Sequence, residues 1–203
     1  MAKVRLTKKE VNRLKKIKGN IKGDILKAFH EYILREKGEK GVKAVEKRLK
    51  ELGWPFQFKE VSAFKWYPEA LICLTHLVYL EVFNLDESKG FDLGYNSPLY
   101  SIVIKLLMQY FISVDRVAKE APKFWQRYFD FGEMKCTKID LRKQYTILCL
   151  YGFKKFHPLV YDYLRGYLAK AAEMTARGKN VKVEQTKSLY NNDPYDEFKI
   201  TWQ

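Results

Sequence analysis

Hydrophobic and polar residues recur with two different periods along this chain, and the periods predict where helices and strands lie. In three stretches the apolar residues return every three to four positions, which is the spacing of an amphipathic helix. These predicted helices cover about residues 23–37, 41–52 and 158–177. Two further stretches, about 70–83 and 98–112, are apolar on nearly every side. A helix of that kind must be covered on all sides.

Four shorter stretches predict β-strands, at about residues 133–139, 143–152, 181–186 and 196–202. In the last two the side-chain type alternates, so each strand has one buried face. The order of elements is helices, two strands, a helix and two strands. It predicts an α+β fold in which a helical layer packs on a four-stranded, mostly antiparallel sheet.

Several segments resemble a known family in both order and spacing. They are Ile21-Lys22-Gly23, Trp66-Tyr67-Pro68, the run from Ala121-Pro122 to Asp130-Phe131-Gly132, and the closing hairpin V-x-V-x-x-T…D-E-F-x-I-x-W over residues 181–202. Together they resemble an uncharacterised bacterial domain family related to the vinyl-reductase-like ligand-binding domains. The wider superfamily includes haem gas sensors and vesicle-tethering subunits that hold a fatty acyl chain. The resemblance implies the α+β fold and a sensory, ligand-binding role, although fold alone does not settle function.

An additional helix precedes the region of resemblance. Thr7-Lys8-Lys9-Glu10 has the spacing of a capping box, so a helix is expected to begin at Thr7 and to end at Gly19. We therefore expect a basic N-terminal helical extension over residues 1–20 and a ligand-binding-type α+β domain over residues 21–203.

Charge is concentrated at the N-terminus. The net charge is +14, and residues 1–27 contain ten Lys and Arg against Glu10 and Asp24. A solvated helix explains this charge, as does adaptation to heat. The alternative is a nucleic-acid-associated protein, or one that touches an anionic membrane surface, through residues 1–27. With lysines spread around a helix, such contact with polyanions would be weak and non-specific, and salt would abolish it.

Cysteine content, the length of the apolar stretches and the absence of enzyme motifs restrict the cellular compartment and the class of protein that the sequence predicts. Three cysteines without paired spacing argue against a disulfide framework and favour a reducing cytoplasm. No signal peptide is predicted, and the apolar stretches are shorter than the ~18 residues that suggest a membrane span. The sequence has no phosphate-binding glycine loop, nucleophile elbow or H-E-x-x-H motif, so no enzymatic activity is predicted.

No metal or cofactor is expected. The three histidines, at 30, 76 and 157, lie on different predicted elements. The resemblance implies that a haem-binding relative would carry a Y-x-S-x-R motif, and this chain has none. It also implies cysteines in the closing hairpin of zinc-binding relatives, where this chain has Ser188 and Asp196. A closed zinc site cannot be built there without thiolates.

The aromatic residues that flank or lie on the apolar helices are candidates for a ligand pocket. The predicted ligand-binding residues are Trp66, Tyr67, Leu74, Tyr100, Ile104, Met108, Trp125 and Tyr128. For each one, ordinary core packing is the competing interpretation. The pocket is expected between the 70–83 and 98–112 helices and the sheet. The candidate cations for an acidic head group are Lys105, Arg116 and Arg127.

The sequence thus predicts a non-enzymatic sensory domain that holds an apolar small molecule or an amphipathic one such as a fatty acid. Related domains pair through their helical layer, and the two apolar helices present more surface than a small sheet can cover. We therefore also expect a homodimer.

Overall fold

The computed structural model describes residues 4–86, 88–101, 114–153, 158–176 and 180–203.

Helix α1 (Lys8–Lys15) begins as its capping box predicts. Thr7 Oγ1 accepts a hydrogen bond from the Glu10 backbone N–H at 3.2 Å, and the Glu10 carboxylate accepts one from the Thr7 N–H at 2.9 Å. The helix ends at Lys16, so the predicted end at Gly19 was too late. Gly19 instead has a φ of 135° and leads into a short strand.

Helix α2 (Gly23–Glu51) contains both amphipathic helices that the sequence predicts. Gly38 divides it with φ 65° and ψ −175°, a conformation that glycine adopts without strain. Strand β1 (Asn20–Lys22) precedes α2 and pairs antiparallel with β2 (Trp66–Pro68). This small sheet was not predicted, because strands of three residues are too short to show a period.

Helix α3 (Glu69–Val82) is the first of the two segments that are apolar on all sides. Every residue from Glu69 to Leu80 is buried by other parts of this same chain. Its surface is therefore covered without a partner subunit, and the homodimer stays a prediction.

The other helices are α4 (Lys89–Asn96), α5 (Val114–Tyr128) and α6 (Pro158–Ala176). Helix α4 was not predicted, whereas α6 matches its prediction closely. A Cβ atom on Gly94 of α4 would lie 1.9 Å from the Tyr163 carbonyl oxygen of α6. A Cβ atom on Gly166 of α6 would lie 2.1 Å from the Phe91 carbonyl oxygen of α4. The two backbones thus touch directly.

Most of the helix predicted over 98–112 lies outside the described residues.

The larger sheet has four antiparallel strands in the order β3-β4-β6-β5. They are β3 (Glu133–Asp140), β4 (Tyr145–Tyr151), β5 (Lys182–Lys187) and β6 (Asp196–Thr201). Irregularities between Cys136 and Lys138, and between Gln185 and Lys187, interrupt the register of the two edge strands. Helices α5 and α6 contact the sheet. The predicted α+β fold is confirmed.

The N-terminal helix shares the main hydrophobic core. Val11 and Leu14 of α1 are buried in the same cluster as α3 and the sheet, and α1 packs against α3. The domain boundary between residues 20 and 21 stays a prediction. Among the residues that the structure describes, no helix is long and apolar enough to cross a membrane.

Candidate ligand-binding cavity

A cavity of about 150 Å³ lies between three helices and the inner face of the larger sheet. Helix α5 and helix α6 form two of its walls, and the first turns of α2 form a third. The sheet contributes Met134 from β3, Thr146 and Leu148 from β4, and Ile200 from β6. The cavity exists because alanines stand where α5 and α6 face each other, at positions 118, 121, 171 and 172. Small side chains at these positions leave room that larger ones would fill.

Most of the described cavity wall is apolar, and Trp125 is one of its large aromatic residues. Trp125 is buried, and its ring stacks on Phe129 with the centroids 3.9 Å apart. Its indole Nε1–H donates a hydrogen bond to the Phe131 carbonyl oxygen at 3.0 Å. With its one polar group satisfied outside the cavity, Trp125 presents only an apolar surface to the interior.

One end of the cavity carries polar groups. Ser101 Oγ donates a hydrogen bond to Asp24 Oδ2 at 2.5 Å, and Tyr163 donates one to Ser97 Oγ at 2.7 Å. Burial raises the pKa of Asp24, while the Ser101 hydrogen bond and the charge of Lys27 oppose that rise. Burial also raises the pKa of Tyr163, to about 12, so its hydroxyl stays protonated at neutral pH.

Two of the eight predicted ligand-binding residues line this cavity, namely Trp125 and Tyr128. Two others, Ile104 and Met108, lie outside the described residues. That Trp125 and Tyr128 bind a ligand stays a prediction.

The other four predicted residues lie away from the cavity. Leu74 is in the hydrophobic core, and Tyr67 uses its hydroxyl to accept a hydrogen bond from the Ser62 N–H. Trp66 is 44% exposed and has Lys22 Nζ 3.9 Å from its ring. Tyr100 packs edge-on against Tyr32. Helix α3 contributes no lining residue within the described part of the chain, so the pocket is not where we predicted it on that side.

The polar end of the cavity was not predicted from the sequence. Asp24 stands in the first turn of α2, where an acidic residue is ordinarily a stabilising charge at a helix N-terminus. Its hydrogen bond to Ser101 spans 77 positions, which no local pattern reveals. Of the predicted cations, Arg116 and Arg127 are exposed, and Lys105 lies outside the described residues.

No group of three or more metal-ligating side chains converges within the part of the chain that the structure describes. His76 is buried between Phe29 and Tyr163, with ring centroids at 4.4 and 4.5 Å. Burial lowers the pKa of its imidazole to about 3, so it is neutral at physiological pH. Asp196 accepts hydrogen bonds from the Leu189 N–H and from Gln185 Nε2, and these bonds tie together the closing hairpin.

The chain shares its fold with solved H-NOX structures. An H-NOX protein from S. oneidensis in the Fe(II)NO ligation state has 11% sequence identity and a TM-score of 0.67, covering 90% of this chain and 99% of that one. An oxygen-binding H-NOX domain related to soluble guanylate cyclases, in its oxygen complex, has 11% identity and a TM-score of 0.64 over 90% and 95%. An H-NOX protein solved to explain H-NOX activation has 14% identity and a TM-score of 0.58 over 90% and 97%.

At such low identity these matches establish the H-NOX fold of the chain and nothing further. No family model and no curated protein matches the sequence. The relation to vinyl-reductase-like domains therefore stays a prediction.

The described cavity residues do not fit a haem group. Haem iron is usually held by an imidazole, a thiolate or a thioether, and less often by a tyrosinate. The described lining contains no histidine or cysteine, and no lysine or arginine that could pair with haem carboxylates. Burial raises the pKa of its tyrosines at 128, 163 and 167, which opposes a tyrosinate ligand, and leaves only the Met134 thioether among the described lining residues. The volume of about 150 Å³ is also below the ~300–1,000 Å³ of pockets for drug-sized ligands.

Proposed function

We propose that this chain is a non-enzymatic ligand-binding domain that holds a small, mainly apolar molecule between α2, α5, α6 and the sheet. The observation that carries the proposal is the apolar cavity of about 150 Å³ at the centre of these elements. An apolar cavity of about 150 Å³ engineered into another protein stays dry and binds benzene or xenon. Close packing is the rule in protein interiors, so a void of this size is costly unless something fills it.

The H-NOX fold adds support of a more general kind. The solved relatives include structures named for bound nitric oxide and for bound oxygen. A fold that encloses small molecules in those proteins is suited to the same task here, although the cavity residues favour an apolar organic ligand over haem. A sensory role follows if occupancy of the cavity changes the helical layer.

Native mass spectrometry and a designed filling variant test this proposal. Protein purified gently should carry a small molecule, or the empty protein should bind toluene in an NMR titration. Ala118 is buried on α5 and lines the cavity, so Ala118→Leu should fill the space and reduce toluene affinity at least tenfold. Ala44→Leu, on α2 away from the cavity, is the matched control and should bind as the wild type does.

Failure of the wild-type protein to bind any apolar probe would overturn the proposal. Unchanged toluene affinity in Ala118→Leu would show that the ligand binds elsewhere. Far-UV circular dichroism of both variants separates these results from misfolding.

A second, weaker candidate is contact with polyanions through the N-terminal segment. Val11 and Leu14 are buried, so α1 turns Lys9, Arg13 and Lys16 to solvent. These three are spaced i, i+4 and i+7 and therefore share one face. Lys8 and Lys15 are also exposed, so the basic charge of α1 extends beyond these three residues. A patch of this kind supports weak, salt-sensitive binding.

A further inference from the structure

The described cavity wall has a few polar residues and no cation. The polar end contains Asp24 and Ser101, which are hydrogen-bonded to each other, together with the hydrogen-bonded pair Ser97 and Tyr163. Burial raises the pKa of Tyr128 and Tyr163, and the charge of Asp24 adds to that rise in each. Thr146, a further polar lining residue, donates its hydroxyl hydrogen to the Lys138 carbonyl oxygen. The rest of the described wall is mainly apolar.

Asp24 is the strongest hydrogen-bonding group at that end. It is 7% exposed, and its Oδ2 accepts the hydrogen bond from Ser101. Within the described part of the chain, Oδ1 accepts no hydrogen bond, and Lys27, whose charge lowers the pKa of Asp24, is exposed to solvent. A ligand donor that reaches this free oxygen would form a charge-assisted hydrogen bond, which is stronger than a bond between neutral groups.

Tyrosine hydroxyls flank this acceptor. The Tyr163 hydroxyl donates its hydrogen bond to Ser97 Oγ. No hydrogen bond within the described part of the chain involves the hydroxyl of Tyr128 or of Tyr167, and both side chains line the cavity. A buried tyrosine hydroxyl usually finds a partner. The polar end therefore offers an acceptor from Asp24 and hydroxyls that can either donate or accept.

We propose that the cavity selects a small, uncharged, mainly apolar molecule that carries one O–H or N–H donor, and that this donor is directed at Asp24. This inference rests on the proposed function and specifies the ligand class. A carboxylate ligand such as a fatty acid would bring a second negative charge close to Asp24 in a poorly solvated site. With no cation among the described lining residues to offset it, that repulsion disfavours anions.

Three probes that share one ring test the selectivity. Toluene, benzyl alcohol and benzoate differ only in the group attached to benzene, so they fill similar volumes but present no donor, one donor or a negative charge. Binding to the full chain at neutral pH is followed by isothermal titration calorimetry. Benzyl alcohol should bind about tenfold more tightly than toluene, since a hydrogen bond to a charged acceptor is worth about that factor. Benzoate should bind most weakly.

Two variants assign this selectivity to named atoms. Asp24→Asn keeps the side-chain size but removes the charge, so the preference for benzyl alcohol should fall to about threefold or less and benzoate should gain affinity. Tyr128→Phe removes one hydroxyl only, and covers the case in which Asp24→Asn does not fold. It should weaken benzyl alcohol while leaving toluene unchanged. Asp92→Asn, at a half-exposed carboxylate on α4, is the matched control and should change nothing.

The outcomes separate the two proposals. If toluene binds but benzyl alcohol is no tighter, or if benzoate binds as well as benzyl alcohol, the selectivity inference is overturned and the ligand-binding function stands. If none of the three probes binds, the proposed function fails and the selectivity inference fails with it. An undiminished preference for benzyl alcohol over toluene in Asp24→Asn would show that Asp24 does not direct the ligand.

Discussion

Replacing Glu69 with glutamine is expected to make the fold more stable at alkaline pH. Glu69 stands in the first turn of α3 and is 4% exposed. Its Oε1 accepts a weak hydrogen bond from Cys73 Sγ at 3.6 Å, and its Oε2 has no hydrogen-bond partner within the described residues. Burial raises the pKa of this carboxyl from 4.5 to about 8, so the desolvation of the charged form outweighs any benefit from the helix N-terminus.

The sign and size of the effect follow from linkage. Between pH 4.5 and 8 the folded chain keeps the Glu69 proton while the unfolded chain releases it. The folded state therefore binds more protons, and the free energy of unfolding falls as pH rises, by about 1.4 kcal/mol per pH unit for this group. Across the whole interval Glu69 costs about 5 kcal/mol as an upper value. Glutamine does not titrate, so Glu69→Gln removes this loss.

The assay is urea unfolding of the wild type and Glu69→Gln at several pH values from 4 to 9. The advantage of the variant should grow steadily above pH 4.5 and level off above pH 8. His76 provides a contrast, because burial lowers its pKa to about 3 and its effect on stability appears only as pH falls below 6.5. His76→Gln should therefore remove this loss of stability at acid pH, in addition to a packing cost that does not depend on pH. A constant difference between wild type and Glu69→Gln from pH 5 to 8 would refute the burial of an uncharged Glu69.

Three further predictions concern the helices. Thr7→Ala should lower the free energy of unfolding by about 1 kcal/mol through loss of the N-cap, measured by urea denaturation, and no change would mean that the α1 cap is not formed. Leu74→Ala should cost about 2–5 kcal/mol in the same assay, whereas a cost below about 1 kcal/mol would contradict core packing of this residue. Exchanging Lys9, Arg13 and Lys16 together for glutamine should reduce the log–log salt slope of heparin binding by about 3, and an unchanged slope would exclude this face of α1.

The fold was largely predictable because its main elements are long and periodic. Helix α6 and the closing hairpin each show one clear period, and each was placed to within a few residues. Gly38 was predicted to separate two helices, and its positive φ shows the physical reason. Helix α4 was missed because its eight residues include two glycines, which weaken any helical pattern.

The cavity was only partly predictable, for a different reason. Trp125 and Tyr128 were selected as large aromatic residues on an apolar segment, and both line the cavity. The alanines that leave the space empty form no recognisable pattern in the sequence. A cavity depends on which residues of two separate elements face each other in the folded chain. Asp24 and Ser101 meet only after the chain has folded, so their pairing has no signature in either local segment.

The glycine contacts between α4 and α6 have a mechanical consequence. A Cβ atom at Gly94 or Gly166 would meet the carbonyl oxygen of the opposite helix, so no side chain lies between the two backbones there. Side chains can change rotamer and absorb a small displacement, but two touching backbones cannot. The Tyr95 hydroxyl bond to Glu173 also joins these two helices, and the Tyr163 hydroxyl bond to Ser97 holds the residue that follows α4. Because α6 forms a wall of the cavity, a displacement of α6 is expected to displace α4 with it.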